Sequence, residues 1–364
     1  MNIKQIVKTT VATALAVGSL AFAAKQDASV VKIAYFTGAL CEAPFQVAWL
    51  NGYFKEEFDK IGQKFEMVRV GENTTLNELI VTGKADAGFD LLATRLQPIE
   101  NGLPITFVTG LHTGCTKFYV KKGSKIKSAK DSRGKKIGVV GLTDSSVMQY
   151  RRKLRDAGII SDGANAEVEF VVYTANDLPI ALDKGAVDII GLHDPIAATA
   201  EEQYGFTKIL DTTTDEKLGL EYCCQAFVTL KLLKNNPQAA AAIRRAAQRG
   251  AAYVAAEPRK VAQLQIDHEI VAGKVDFNTK LLESYNFIPS AALGLDTFKK
   301  VARELQATGI LKKKTNIDKF IKDHYVNFDE LGIKLPDGFV YDPKTGTFTE
   351  VWEAPDPSVL RRKM

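Results

Sequence analysis

An α/β fold arranged as two lobes is what this 364-residue sequence predicts. Three observations lead there. Short apolar runs alternate with helical stretches from Val30 onward, the pattern of strands joined by helices. A helix–glycine–strand unit occurs twice, over 78–89 and 180–191. A composition 46% hydrophobic and 25% charged is that of a folded chain, long enough for one large or two medium cores.

The elements follow in order. Val30 to Phe36 alternates as a strand, with Val31, Ile33 and Tyr35 on one face. Ala43 to Phe58 reads as one helix, with Pro44 in its first turn and Phe45, Ala48 and Trp49 on one side. Phe65 to Val70 alternates again, Thr74 to Val81 is helical up to a Gly83 cap, and Lys84 to Phe89 is a strand. Glu78–Phe89 matches Ile180–Gly191: helix, glycine, two residues, aspartate, apolar strand. A polar position and a new helix follow each copy, as Asp90-Leu91-Leu92-Ala93 and as His193-Asp194-Pro195-Ile196. The match reads either as a common connection recurring or as two similarly built lobes. A second block begins near Phe118, with strands at Lys136–Val140 and Val168–Val172 around a helix at Asp144–Ala157. The alternation predicts mainly parallel sheets. Ala226–Leu230 is a strand, and Asn236-Pro237 opens an alanine-rich helix to about Ala256, with Arg244, Arg245 and Arg249 expected outward. Glu257-Pro258 restarts the helical pattern, which continues to about Val326. Asp342-Pro343-Lys344-Thr345-Gly346 forms a hairpin-like turn in the tail.

Lys4 and Lys8 precede an apolar run from Val11 to Phe22, and Ala21-Phe22-Ala23 has the small-x-small form. Residues 1–23 are therefore expected to be an export signal cleaved after Ala23. The first cysteine is Cys41, so no lipid anchor is expected, and no later run is long enough to span a membrane. The mature chain is expected to be soluble and periplasmic. The net charge of +5, near +3 without the signal, is too small a bias for nucleic acid. Four cysteines rule out a disulfide-built miniprotein; in an oxidising compartment Cys115 with Cys223 or with Cys224 is an expected pair, and sequence does not choose between them. No G-x-G-x-x-G, P-loop, H-E-x-x-H or paired C-x-x-C motif occurs.

Five segments taken in order resemble one family: Val31–Phe58 with "APFQVAWLNGYFKEEF", Leu79–Phe89, Asp131–Val140 with "DSRGKKIGVV", Ala186–Ala200 with "AVDIIGLHDPIAATA", and Asn235–Pro258. They resemble the extracytoplasmic substrate-binding proteins of ABC importers for nitrate, sulfonates and taurine, whose fold fungal thiamine-pyrimidine synthases share. The resemblance implies a two-lobe, periplasmic-binding-protein-like fold of type II, with a ligand cleft between the lobes. One lobe would take residues 30–115 plus 225–326, the other 118–222. Residues 327–364 form a C-terminal extension of unknown role, largely outside the resemblance. It further implies a monomeric receptor without a cofactor and without enzymatic activity, which binds a small organic molecule and hands it to a membrane permease. Two alternatives stay open. One is a synthase, or a binder of a thiamine-pyrimidine precursor; Tyr222-Cys223-Cys224-Gln225-Ala226-Phe227 keeps part of the synthases' cysteine-rich motif, although an export signal argues against a cytosolic enzyme. The other is capture of a metal or metal complex through cysteine with His112 and His193, whose spacing matches no metal motif.

Ligands in open α/β sheets sit beyond strand ends where helices begin, because helix N-termini carry free N–H groups and partial positive charge. Four such turns are readable. The first, Thr37 to Phe45, brings Thr37, Cys41 and Glu42; the second starts at Asp90. The third is Thr143, Asp144, Ser145 and Ser146, and the fourth His193 and Asp194. The resemblance adds a loop at 110–115 with His112, Thr113 and Cys115; Glu221 lies nearby. Ser145, Asp144 and Asp194 are equally good helix caps. So many carboxylates with few interleaved bases disfavour a multiply charged anion, unless they cap helices or pair with lysines. Replacing Ser145 and Ser146 together by alanine is expected to weaken ligand binding at a nearly unchanged melting temperature.

Overall fold

The computed structural model describes residues 30–71, 74–142 and 144–360, so the expected export signal and Thr143 lie outside the described residues. Chain order runs β1 (Val31–Tyr35), α1 (Ala43–Leu50), α2 (Tyr53–Asp59), β2 (Phe65–Arg69), α3 (Leu76–Val81), β3 (Ala87–Leu91), α4 (Leu92–Glu100) and β4 (Ile105–Thr113). It crosses to β5 (Thr116–Val120), β6 (Lys136–Val139), α5 (Ser145–Asp156), β7 (Glu169–Val172), α6 (Leu178–Lys184), β8 (Ile189–His193), α7 (Ile196–Tyr204) and β9 (Thr207–Asp211). It returns through β10 (Tyr222–Thr229) to α8 (Leu230–Asn235), α9 (Pro237–Ala256), α10 (Pro258–Asp267), α11 (Val275–Ser284), α12 (Ala291–Ala307) and α13 (Ile317–His324). A hairpin of β11 (Gly338–Asp342) and β12 (Thr347–Val351) follows, then a 3-10 turn at Pro357–Leu360.

The strands make two five-stranded sheets of matching order, β2-β1-β3-β10-β4 and β7-β6-β8-β5-β9. The repeated sequence unit is α3–β3 in one and α6–β8 in the other, at equivalent places. Gly83 and Gly185 end the two helices at φ +68° and +74°, left-handed values that glycine takes without strain. The Asp86 carboxylate accepts the Lys32 N–H at 3.0 Å and Asp188 accepts the Lys136 N–H at 2.9 Å, so each aspartate holds the start of the strand beside its own.

The sheets are mixed rather than mainly parallel. β10 runs antiparallel to β3 and β4, and β5 antiparallel to β8 and β9. These are the strands that begin where the chain crosses between lobes, so each enters its sheet from the opposite end. The helix expected over 43–58 is two helices, because Gly52 turns left-handed at φ +80°. The alanine-rich α9 is buried along much of its length, and a side chain at Gly250 would lie 2.0 Å from the Pro44 carbonyl oxygen, so small residues let α1 and α9 touch. Arg244 of α9 is buried, against expectation: the tail gives its guanidinium an acceptor, the Pro336 carbonyl at 2.6 Å, and a ring, Phe328. Arg245 and Arg249 pair with Glu57 and Glu56.

Candidate functional site

The two crossovers, β4 to β5 and β9 to β10, lie side by side, and the polar residues singled out from sequence gather around them. Residues 110–113 are not loop but the end of β4, buried throughout and paired with β10. The loop expected here was what the family resemblance implied. The strand tolerates these residues because Gly110 leaves room for the Tyr222 ring. Cys115 follows at φ +79°, a backbone conformation uncommon for a residue with a side chain. Its sulfur is 3.3 Å from Cys223 Sγ and 3.8 Å from His193 Nδ1. Cys223 and Cys224 open β10 where the second crossover ends, and Cys223 is the near neighbour of Cys115 at a non-bonded 3.3 Å, so the expected disulfide is not formed and all four cysteines are free.

At the start of α5, Asp144 caps the helix by accepting the Ser146 N–H at 2.8 Å and the Ser146 hydroxyl. Both its oxygens lie 3.1 Å from His193 Nε2. Burial alone would lower the imidazole pKa, but Asp144 and the Cys115 sulfur outweigh it and hold His193 well above its ordinary value. Burial raises Asp144 while the imidazolium and the Ser146 donors lower it, and the net result is below the ordinary carboxylate value. The pair is therefore ionic at neutral pH. Hydrogen bonds from Cys115 and Cys224 pull Cys223 down to about 6, whereas burial and the neighbouring thiols push Cys224 well up.

The other carboxylates are also neutralised. Asp194 caps α7 through the Ala198 N–H, accepts Lys117 Nζ at 2.5 Å, and accepts the Tyr285 hydroxyl at 3.0 Å from the opposite lobe. Asp90 pairs with Arg95. Glu221 takes both terminal nitrogens of Arg152, at 2.5 and 2.8 Å, and Arg152 reaches Glu304 across the cleft. Glu42 is buried with one oxygen unpartnered, and desolvation holds its carboxyl well above the ordinary value. Apart from Glu42, the expected excess of acid is thus capped or paired. Arg95 and Arg152 were missed because they lie inside α4 and α5, past the strand-to-helix turns that drew attention; Arg152 is two helical turns beyond Ser145.

A small cavity of about 40 Å³ lies between the lobes. Its walls are Leu92 and Ala93 of α4, Ser145, Met148, Gln149 and Arg152 of α5, and Val301, Glu304 and Leu305 of α12, with Glu221, Tyr222 and Cys223 at the crossover. Ser145 Oγ and Gln149 Oε1 are buried here without a hydrogen-bond partner. Ser146 differs, being bonded to Asp144, so replacing both serines would also disturb the cap. The Thr113 hydroxyl donates to the Leu360 carbonyl at 3.0 Å, and Thr37 accepts from Arg69, so neither hydroxyl is idle. The tail, of unassigned role in the sequence, thus tucks against the crossover. Although no linear motif announced it, Cys41, His112 and Cys224 place one ligand atom each within 4.8 Å of one another, as do Cys115, Cys223 and Cys224. No described helix is long and apolar enough to cross a membrane.

Comparison with known proteins agrees on the architecture. The periplasmic aliphatic sulphonate-binding protein of Escherichia coli superposes with a TM-score of 0.67 at 16% identity, over 82% of this chain and 92% of that one. The periplasmic nitrate-binding protein of Synechocystis PCC 6803 gives 0.66 at 13% identity, over 82% and 86%. At such identities the likeness is one of fold: the two-lobe, periplasmic-binding-protein fold expected from sequence. The curated relatives carry different names. A 4-amino-5-hydroxymethyl-2-methylpyrimidine phosphate synthase of Aspergillus parasiticus is 25% identical over 256 residues, 66% of this chain and 70% of its own. One of the same name from Legionella pneumophila is 24% identical over 226 residues, 61% and 67%. These relatives are enzymes, which overturns the expectation that the chain stands apart from enzymatic activity. The family model described as "NMT1/THI5 like" matches residues 42–261, more than half of the sequence. By this match the chain belongs to the NMT1/THI5-like family.

Proposed function

We propose that the protein is an extracytoplasmic receptor that closes its two lobes on a small polar organic molecule and presents it to an ABC permease. The observation that carries this reading is the interlobe cavity lined by Ser145 and Gln149, whose Oγ and Oε1 are buried without a hydrogen-bond partner. Buried polar atoms are nearly always hydrogen-bonded, so a guest supplies what these two lack. Leu92, Met148, Val301 and Leu305 offer apolar contact to its body. The nearby charges cancel, Arg152 and Arg155 against Glu221 and Glu304, which suits a neutral heterocycle or a zwitterion over a dianion. The lysine-bearing, alanine-terminated leader expected from the sequence supports a receptor outside the cytoplasm.

The names of the curated relatives give a second reading, in which the same cavity hosts chemistry on a pyrimidine. Calorimetry with a panel of alkanesulfonates, taurine, nitrate and aminopyrimidines tests the receptor, and mass spectrometry of each mixture after incubation tests conversion. Saturable binding of one panel member supports the receptor. Failure of every member to bind, together with failure of the protein to co-purify with any small molecule, overturns it. Appearance of a new product mass assigns the second reading.

A further inference from the structure

We propose that Cys41, His112 and Cys224 form a binding site for a thiophilic d10 cation, Cu+ or Zn2+. The residues come from three separate elements: the 3-10 turn before α1, the end of β4 and the start of β10. Their ligand atoms converge within 4.8 Å. Proximity alone is a weak argument, and the state of His112 adds an independent one.

His112 is fully buried. Its Nδ1 lies 3.2 Å from the Thr113 carbonyl oxygen, which can only accept, so Nδ1 carries the proton. Nε2 is then an unprotonated nitrogen with an available lone pair, and it is buried without any partner. Imidazoles that bind metals have this arrangement, one nitrogen donating to a carbonyl and the other turned to the ion. The ring is also held in orientation, packed among Phe89, Tyr285 and Phe287 at centroid distances of 5.8, 5.9 and 5.2 Å. A site whose ligands are fixed before the ion arrives loses little freedom on binding.

Two sulfurs and an imidazole select the ion class. Thiolate and imidazole favour Cu+ and Zn2+, while Mg2+ and Ca2+ require oxygen ligands. Cys224 also lies within 4.8 Å of Cys115 and Cys223, but that second set has no imidazole, so the mixed sulfur–nitrogen site is Cys41, His112 and Cys224. Each thiol gives up its proton as the metal–sulfur bond forms, so one ion displaces two protons into solvent. The site does not depend on the receptor reading. Its ligands do not line the organic cavity, and the two are tested with different probes.

The test uses the whole chain, chelator-stripped and fully reduced, with Cd2+ as the optical probe and Zn2+ and Cu+ as competitors. The expected result is one Cd2+ per chain, a thiolate-to-cadmium charge-transfer band, and about two protons released per ion. Cys41→Ser, Cys224→Ser and His112→Gln should each weaken binding at least about tenfold. Cys115→Ser should leave it unchanged. Absence of the band, or a band surviving in all three ligand variants, overturns the proposal, as does a band lost only with Cys115. Should a variant fail to fold, the cadmium NMR shift of the unaltered protein decides: a mixed sulfur–nitrogen environment supports the site, an all-sulfur one overturns it.

Discussion

Removing the Ser145 hydroxyl should make the protein more stable and a poorer binder at once. The side chain is 2% exposed and its oxygen has no partner. Burying an unsatisfied hydroxyl costs roughly 1–3 kcal/mol, of which we take the lower end. Ser145→Ala relieves that cost and leaves the helix start intact, because the cap is the Asp144 carboxylate. The expected gain is about 1 kcal/mol, or a rise in melting temperature of about 2 °C in a chain of this length. A guest that hydrogen-bonds Ser145 loses about 0.5–1.5 kcal/mol, a roughly 2- to 12-fold weaker Kd. Differential scanning calorimetry reads the first effect and titration calorimetry with the best-binding panel member the second. A fall of several degrees would show that the hydroxyl is part of the folded framework. An unchanged Kd would take the start of α5 out of the binding surface.

Three further outcomes follow from the crossover geometry. Tyr285→Phe removes the hydroxyl that joins one lobe to Asp194 in the other, leaving that carboxylate with Lys117; we expect a loss of about 1–2 kcal/mol and faster amide hydrogen exchange along the cleft, and unaltered exchange would dismiss the contact as a latch. The raised folded-state pKa of His193 means its pairing with Asp144 contributes fully below the unfolded value of about 6.5 and is lost as pH rises through the folded value, so the alkaline fall in melting temperature should be shallower in His193→Gln; superimposable profiles would refute the ionic pair. Gly110→Ala would put a methyl group 2.4 Å from the Tyr222 ring and should cost about 1–3 kcal/mol in denaturant melts, whereas wild-type stability would show that β10 yields easily.

What the sequence disclosed followed from local rules. The Asn236-Pro237 helix start was legible because both the cap and the proline act within one turn. The twin units at 78–89 and 180–191 were legible because glycine and aspartate keep fixed offsets, and the matching sheet orders explain why. Non-local effects were not legible. Gly110 to Thr113, placed in a loop by the resemblance, are strand because β10 pairs with them. The partners that quench the acids are brought by packing: Arg152 bonds Glu221 and Glu304, far away in sequence. Cys41, His112 and Cys224 have no linear spacing to recognise, since the sheet joins what the chain separates. Arg244 read as solvent-facing because its acceptor comes from the tail.

The correspondence of the two sheets bears on how specificity is acquired in such a molecule. Each half ends its central strand at the same place, yet one tip reads Asp90-Leu91 and the other Leu192-His193. An ancestral gene doubling would have furnished two identical tips facing a shared guest. Divergence at those few positions, with the aspartate anchors behind them kept, would then retune the chemistry while the scaffold stayed as it was.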